Sequence, residues 1–210
     1  PAILLFDEPL SALDLSLRVL RDFVNRDTAR ILIDSRETYQ RMTVFAQNYT
    51  MAVLEKLQHY GADRPLFDLH AIEDEIARAL GRRVDLKSGG YLIIDQTEAL
   101  TTIDVNTGRY VGKRSLEDTI LKTNLEAVRE IAYQLRLRNI GGIIILDFID
   151  MEHENNRRKV YQALQEALSH DRAKTTISHI SPLGLIEMTR KRVRESLGRA
   201  LCDTCPYCDG

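Results

Sequence analysis

Two short apolar runs, each ending in an aspartate, constrain the fold of this chain more than any other feature of its sequence. One lies within residues 89–108 and leads to Asp104, and the other runs from Gly141 to Asp147, with a further carboxylate at Asp150. Runs of β-branched residues bounded by glycine are typical of buried strands. The sequence therefore predicts two strands that each deliver a carboxylate near the strand's end.

Two carboxylates carried on separate strands could converge on one cation. Mg²⁺ prefers oxygen ligands and is usually bound by one or two carboxylates, with water completing its coordination. The alternative is that Asp104 and Asp147 only cap the turns or helices that follow their strands. The strand pattern alone leaves both interpretations open.

Composition sets the broad class of protein. The 210 residues are 44% hydrophobic and 29% charged, which fits an ordinary globular protein with one large domain or two small ones. No apolar run approaches the length of a membrane span and no signal peptide is recognised, so we expect no membrane span. A formal net charge of −2 gives no indication of nucleic acid. Because the chain starts at Pro1 without an initiator Met, we expect it to be part of a longer protein.

The first 14 residues resemble the Walker B segment and following loop of ABC-type ATPases. Such an ATPase needs a P-loop, Gly-x-x-x-x-Gly-Lys-Ser/Thr, whose backbone amides hold phosphates. The nearest match, residues 108–113, is one residue too short and is followed by Arg114. Residues 86–90 faintly resemble the ABC signature, but they follow the Walker B-like segment, whereas the signature precedes it in that class. We therefore reject ATP hydrolysis and predict a short strand, a proline turn and a helix.

The rest of the chain alternates strands and helices, which predicts an α/β fold, with α+β character where strands pair in a hairpin. The predicted strands lie at residues 29–33, 84–86, 91–95, 97–104, 143–147 and 174–179. The predicted helices lie at residues 36–49, 69–79, 116–137, 155–170 and 185–196. The strands at 84–86 and 91–95 are predicted to form a hairpin, with 97–104 antiparallel to it.

Several motifs, taken in order, resemble the catalytic region of the ribonuclease E/G family. They are Gly-Gly-Tyr-Leu-Ile-Ile-Asp-Gln-Thr-Glu-Ala-Leu-Thr-Thr-Ile-Asp-Val-Asn-Thr-Gly (89–108), Lys-Thr-Asn-Leu-Glu-Ala (122–127), Gln-Leu-Arg-Leu-Arg-Asn (134–139), Gly-Gly-Ile-Ile-Ile-Leu-Asp-Phe-Ile-Asp-Met (141–151), Gly-Leu-Ile-Glu-Met-Thr-Arg-Lys-Arg (184–192) and Cys-Pro-Tyr-Cys (205–208). The resemblance runs from about Leu17 to Gly210. It implies a ribonuclease H-like structural subdomain, present in part, at residues 1–80. A DNase I-like catalytic subdomain is expected at 81–200 and a short zinc-link at 201–210.

The resemblance also implies the chemistry. Family members are endoribonucleases that cleave single-stranded RNA to give 5′-phosphate and 3′-hydroxyl ends, in rRNA processing and mRNA decay. Here Asp104 and Asp147 match the Mg²⁺ ligands, and Asn106 matches the residue that orients them. Three further acids near the predicted strand ends, Asp95, Glu98 and Asp150, rank below that pair.

The cysteines point to a second metal. All three, Cys202, Cys205 and Cys208, lie within the last nine residues, which makes a poor disulfide framework and suits a reducing, cytoplasmic compartment. By resemblance, Cys205 and Cys208 supply half of a tetrahedral Zn²⁺ site and a second subunit supplies the rest, giving a zinc-linked dimer or a higher homo-oligomer. Cys202 is either a bystander or a third ligand. The alternative function is a non-catalytic, zinc-linked dimerisation or RNA-binding fragment.

Basic residues concentrate near the end of the chain. Residues 170–200 contain seven Lys or Arg against three acids. This excess could meet RNA phosphates, or it could be a solvated helix face. Arg109, Lys113 and Arg114 are further candidates for backbone contact.

Overall fold

The computed structural model describes residues 2–6, 17, 20, 24, 28–49, 51–108, 116–178, 181 and 185–203. Its contacts divide the chain into two units, Pro1–Glu75 and Ile76–Gly210. The sequence placed a boundary after residue 80, and the identities of the predicted subdomains stay predictions. Within the described part of the chain, no helix is long and apolar enough to cross a membrane.

The first unit contains a three-stranded parallel sheet in the order β1 (Ala2–Phe6), β2 (Thr28–Ile33) and β3 (Leu57–His59). The central strand carries a continuous apolar run that is buried, as parallel strands usually are. The described helices of this unit are α1 (Arg36–Tyr49), α2 (Met51–Leu54) and α3 (Leu66–Leu69), and α4 (Ile72–Leu80) begins in it. The predicted strand in the opening segment is confirmed at β1, and residues 7–16 lie outside the described part.

Helix α1 begins where its sequence allows a cap. Ser35 Oγ accepts a hydrogen bond from the Thr38 N–H at 3.2 Å, and the Ser35 carbonyl accepts one from the Tyr39 N–H at 2.9 Å. The serine hydroxyl therefore satisfies a backbone donor that the first turn leaves unpaired. The apolar side of the helix then packs into the core of the first unit through Met42 and Ala46.

The second unit is built on a six-stranded mixed sheet. Its order is β4 (Arg83–Asp85), β5 (Tyr91–Gln96), β6 (Leu100–Asn106), β7 (Gly142–Asp147), β9 (Leu185–Arg190) and β8 (Thr175–Ile177). Only β6 and β7 pair in parallel, and the other neighbours are antiparallel. Helices α5 (Leu116–Leu137) and α6 (Glu154–Ser169) follow β6 and β7. The predicted mixed α/β class is confirmed.

One face of this sheet forms the core with α5 and α6. Strand residues on that face include Leu92, Ile94, Ile103, Val105, Ile144, Leu146, Ile186 and Met188, which pack with helix residues such as Ile131, Leu135, Val160 and Leu164. Because side chains alternate along a strand, the intervening residues lie on the opposite face. Asp104, Ile143 and Asp147 are on that second face and are exposed.

A buried ion pair closes one end of the core. Arg190 Nε donates to Asp171 Oδ2 at 2.7 Å, and both side chains are almost fully buried, at 5% and 3% exposure. A further guanidinium nitrogen of Arg190 donates to the Ile140 carbonyl at 2.7 Å. Arg190 therefore has a structural role. It is not available to bind a ligand, unlike the exposed arginines near it in sequence.

The predicted last helix at residues 185–196 is wrong. Residues 185–190 form β9, which pairs with β7 on one side and β8 on the other, and a short helix, α7 (Leu197–Leu201), follows later. The run Leu-Ile-Glu-Met-Thr-Arg alternates with period two, and Ile186 and Met188 point into the core. The hydrogen bonds with β7 and β8 stabilise this segment as a strand, although its apolar residues also fit helical spacing.

The predicted strand at 97–104 begins later, at Leu100. The Thr97 N–H and hydroxyl both donate to the Leu100 carbonyl, at 2.9 and 2.8 Å, so a tight turn separates β5 from β6. The antiparallel pairing of these two strands and the hairpin of β4 and β5 agree with the prediction.

Candidate metal centre

Asp104 and Asp147 are direct partners in the parallel pairing of β6 with β7. Paired residues on neighbouring strands point to the same face, and strands lie about 4.8 Å apart. The two carboxylates therefore project side by side from the face opposite the helices. This pairing brings the two predicted ligands together at the carboxyl ends of both strands.

Asn106 lies two residues after Asp104 and points to the same face. Its Nδ2 donates a hydrogen bond to Asp104 Oδ2 at 2.9 Å. This contact fixes the orientation of the carboxylate and leaves its other oxygen free for a ligand. The position fits the predicted role of Asn106 as an orienting residue.

The electrostatics of the pair suit a cation. Although the Asp147 side chain reaches solvent, the surrounding protein partly desolvates its carboxylate and raises its pKa above the usual range. The negative charges of Asp104 and Asp150 raise the pKa further. A divalent ion would offset this repulsion. Among the described residues there is no cluster of three or more His, Cys, Asp or Glu positioned to hold a metal. Two carboxylates with water match the way Mg²⁺ is usually held.

The three lower-ranked acids, Asp95, Glu98 and Asp150, lie in different environments. Asp95 is engaged by Arg82, whose guanidinium donates to Asp95 Oδ2 at 2.6 Å, and this hydrogen bond lowers the pKa of Asp95. Glu98 lies in the turn before β6, at the opposite end of that strand from Asp104. Asp150 stays close enough to Asp147 to influence its charge.

A buried asparagine supports the segment after Asp147, and sequence reasoning gave it no role. Asn124 of α5 is fully buried; its Nδ2 donates to the Ile149 carbonyl at 2.8 Å, and its Oδ1 accepts from the Ile149 N–H at 3.1 Å. The side chain thus holds the backbone between Asp147 and Asp150. The sequence feature that could have identified Asn124 is a polar residue at a core-facing position of an amphipathic helix.

Glycines allow the β4–β5 turn to pack against the end of β6. A Cβ at Gly90 would lie 2.6 Å from the Asn106 carbonyl oxygen. Gly108 has φ +64°, and a Cβ there would lie 2.3 Å from the Gly89 carbonyl oxygen. The Ser88 N–H of the same turn donates to the Glu126 carboxylate, at 3.1 and 3.3 Å to its two oxygens. These contacts fix the backbone that carries Asn106.

Other predicted residues fall outside the described part of the chain. They are Cys205 and Cys208, the expected zinc ligands, and Arg109, Lys113 and Arg114. Cys202 is described, and it is an exposed free thiol.

Comparison with known proteins identifies the class. The family model described as "Ribonuclease E/G family" matches residues 9–193, so the chain belongs to this family. The chain is 58% identical over 198 residues to ribonuclease G of Salmonella typhimurium (strain SL1344) and 57% identical over 198 residues to that of Escherichia coli (strain K12). It is 42% identical over 197 residues to ribonuclease E of Haemophilus influenzae.

The alignments with these relatives cover 94% of this chain. They cover 40% of each ribonuclease G and 21% of the ribonuclease E. The chain therefore spans about two fifths of the length of the ribonuclease G relatives it matches.

Proposed function

We propose that this chain carries the catalytic centre of a Mg²⁺-dependent endoribonuclease that cleaves single-stranded RNA, leaving 5′-phosphate and 3′-hydroxyl ends. The observation that carries the proposal is the direct pairing of Asp104 with Asp147 across β6 and β7. The names of the relatives, ribonuclease G and ribonuclease E, support an RNA substrate. Processing of rRNA and decay of mRNA are the expected settings.

Each residue of the centre has a proposed task. Asp104 and Asp147 hold the metal ion, and Asn106 keeps the Asp104 carboxylate in one orientation through its 2.9 Å hydrogen bond. When bound, Mg²⁺ supplies positive charge beside the phosphoryl oxygens and lowers the pKa of a coordinated water. Asn124 holds the backbone that follows Asp147, so the second carboxylate keeps its position relative to the first.

The subdomain assignment forms part of the proposal. The sheet of the second unit, with helices on one face and the acidic pair on the other, supports the DNase I-like catalytic subdomain at residues 81–200. Residues 1–80 are proposed to form part of a ribonuclease H-like structural subdomain, and the parallel sheet of the first unit supports this role.

The test is cleavage of a short 5′-labelled single-stranded RNA with and without Mg²⁺. Asp104→Asn and Asp147→Asn are each expected to lower the rate at least a hundredfold, because a carboxamide is a neutral and weaker ligand. The matched control is Asp95→Asn, which removes a carboxylate from the neighbouring strand β5 that Arg82 already engages. Unchanged cleavage in both active-site variants would refute the assignment.

We further propose that Cys205 and Cys208 bind half of a Zn²⁺ site that a second subunit completes. Zn²⁺ prefers four tetrahedral ligands, so two thiolates leave it half filled. Metal analysis and solution mass of Cys205→Ser/Cys208→Ser test this, with Cys202→Ser as the matched control. Full zinc content and an intact oligomer in the double variant would contradict the link. The same result would also contradict the alternative function of a non-catalytic, zinc-linked fragment, because that function depends on the link.

A further inference from the structure

A basic pocket lies at the end of the β6–β7 pair opposite the acidic pair. It has a volume of about 300 Å³ and is bounded by the β5–β6 turn, the start of β7 and the segment after β9. Leu100 lines it and lies four residues before Asp104 in β6. With a rise of about 3.3 Å per strand residue, the pocket is roughly 13 Å from the metal pair along the strand.

Basic residues outnumber acidic ones in the lining of this pocket. Arg192, Arg194 and Arg199 contribute to its wall, against one acid, Glu195. Within residues 185–203 and the other described segments, none of these three arginines forms an ion pair with a carboxylate. Arg190, by contrast, is buried and bound to Asp171. Three guanidinium groups are therefore available around one cavity.

Arg192 is held in place by the backbone beneath it. Its Nε donates to the Gly141 carbonyl at 3.2 Å. A Cβ at Gly141 would lie 2.9 Å from Arg192 Cγ, and a Cβ at Gly142, where φ is +100°, would lie 2.8 Å from its Nη2. The two glycines therefore leave space that the arginine side chain fills. This packing distinguishes Arg192 from a freely moving surface cation.

The segment that carries Arg194 is also anchored. Asn139 Nδ2 donates to the Glu195 carbonyl at 3.0 Å, and the Leu197 N–H donates to the Arg138 carbonyl at 2.9 Å. The Lys191 N–H donates to the Lys174 carbonyl at 2.9 Å. An anion that enters the pocket therefore meets donors on fixed backbone, which lowers the entropic cost of binding.

We propose that this pocket binds a phosphate group of the RNA backbone. Guanidinium groups match the geometry of phosphate oxygens through paired hydrogen bonds, and a single-stranded substrate that continues past the metal pair along β6 would reach the pocket. The choice of RNA rests on the proposed function, whereas the affinity for phosphate follows from the pocket. The pocket would then add affinity and direct the strand across the exposed face.

The experiment measures binding of a labelled single-stranded RNA to the full chain in buffer without Mg²⁺, where the proposed function predicts no cleavage and the proposed Zn²⁺ stays bound. Arg194→Ala/Arg199→Ala is expected to weaken binding about tenfold. It should also flatten the slope of log K against log salt concentration by roughly 0.7 for each phosphate that the variant no longer neutralises. The matched control is Arg158→Ala/Lys159→Ala, which removes the same charge from the exposed side of α6. Arg192→Lys, which keeps the charge, should weaken binding less than Arg192→Ala.

The outcomes separate the pocket from the rest of the proposal. A fall in affinity confined to the pocket variants supports the site, and an equal fall in the α6 control overturns it. Normal binding in the pocket variants also overturns it, and Mg²⁺-dependent cleavage by the unmodified chain then shows that the proposed function survives alone. Inorganic phosphate is titrated in a thermal-shift assay as a second arm. If phosphate stabilises only the unmodified pocket while RNA affinity stays unchanged, free phosphate is the ligand and RNA is excluded.

Discussion

The carboxamide of Asn124 forms two hydrogen bonds with the backbone of Ile149, two residues beyond Asp147. One side chain thereby replaces the strand partner that this backbone lacks where β7 ends. The contact links α5 to the segment between Asp147 and Asp150. These two hydrogen bonds explain why a fully buried position of α5 carries an asparagine.

Asn124→Leu should therefore reduce both stability and activity. The change removes the partner of the part-buried N–H and carbonyl of Ile149. The cost is at most about 1–3 kcal/mol for each group, the range for fully buried groups. We expect unfolding in urea at a lower midpoint and a fall in kcat that exceeds any rise in KM, because Asp147 loses its fixed position. Asn155→Ala, at an exposed site on α6, is the control. A normal kcat in a destabilised Asn124→Leu protein would limit the role of Asn124 to folding.

Asp147→Asn should change stability in opposite directions with and without metal. Partial desolvation and the charges of Asp104 and Asp150 disfavour the ionised form of Asp147 and raise its pKa. We expect the metal-free variant to melt at a higher temperature than the unmodified chain in EDTA. Mg²⁺ should raise the melting temperature of the unmodified chain, because it binds only the folded state, and should have little effect on the variant. Equal shifts with Mg²⁺ in both proteins would place the ion elsewhere.

The Arg190–Asp171 pair should make the free energy of unfolding depend on pH in the acidic range. Burial alone would raise the pKa of Asp171, but hydrogen bonds from Arg190 and the Ala173 N–H outweigh it and hold the pKa below its usual range. A lowered folded-state pKa contributes stability that is complete above the unfolded pKa, about 3.9, and is lost as pH falls through the folded value.

Urea unfolding between pH 3 and 6 measures this contribution. The unmodified chain should lose stability below about pH 4, and Asp171→Asn should show a smaller dependence over that range. At pH 7, Asp171→Ala should cost about 3–5 kcal/mol, because Arg190 stays buried without its partner. A pH profile of Asp171→Asn that parallels the unmodified chain would assign the acid sensitivity to other groups.

Gly90→Ala should disturb Asn106 without unfolding the sheet. The new Cβ would lie 2.6 Å from the Asn106 carbonyl oxygen, so the turn or the strand end must move. We expect Mg²⁺-dependent cleavage to fall about tenfold or more, in line with the cost of small misplacements at a catalytic site. Gly198→Ala is the matched control, because a Cβ there meets nothing within 4 Å. Normal cleavage by Gly90→Ala would show that the turn does not position Asn106.

The local pattern of apolar residues predicted where the strands end. It did not predict which of the aspartates at those ends would be metal ligands. Apolar runs place Asp104, Asp147 and Asp95 near strand ends with similar strength. Parallel pairing brings the first two together, and Arg82 occupies the third; both facts depend on residues distant in sequence. Family resemblance selected the pair, and periodicity did not.

The failures of prediction have the same origin. Residues 185–190 combine helical spacing with alternation, and the hydrogen bonds from β7 and β8 decide the outcome. The basic run near the end of the chain divides in the structure into a buried arginine and a set around a pocket, because Arg190 finds Asp171. Charge counts along a sequence do not distinguish these two environments.

The parallel pairing of β6 and β7 has a consequence for the order of folding. Asp104 and Asp147 are adjacent in space, but α5 and its connections separate them in the chain. A parallel pair forms only after a long crossover closes, which is slow compared with forming a hairpin. The antiparallel strands β4, β5 and β6 are neighbours in sequence and can pair before β7 joins them. The proposed metal centre therefore cannot form until β7 has joined β6.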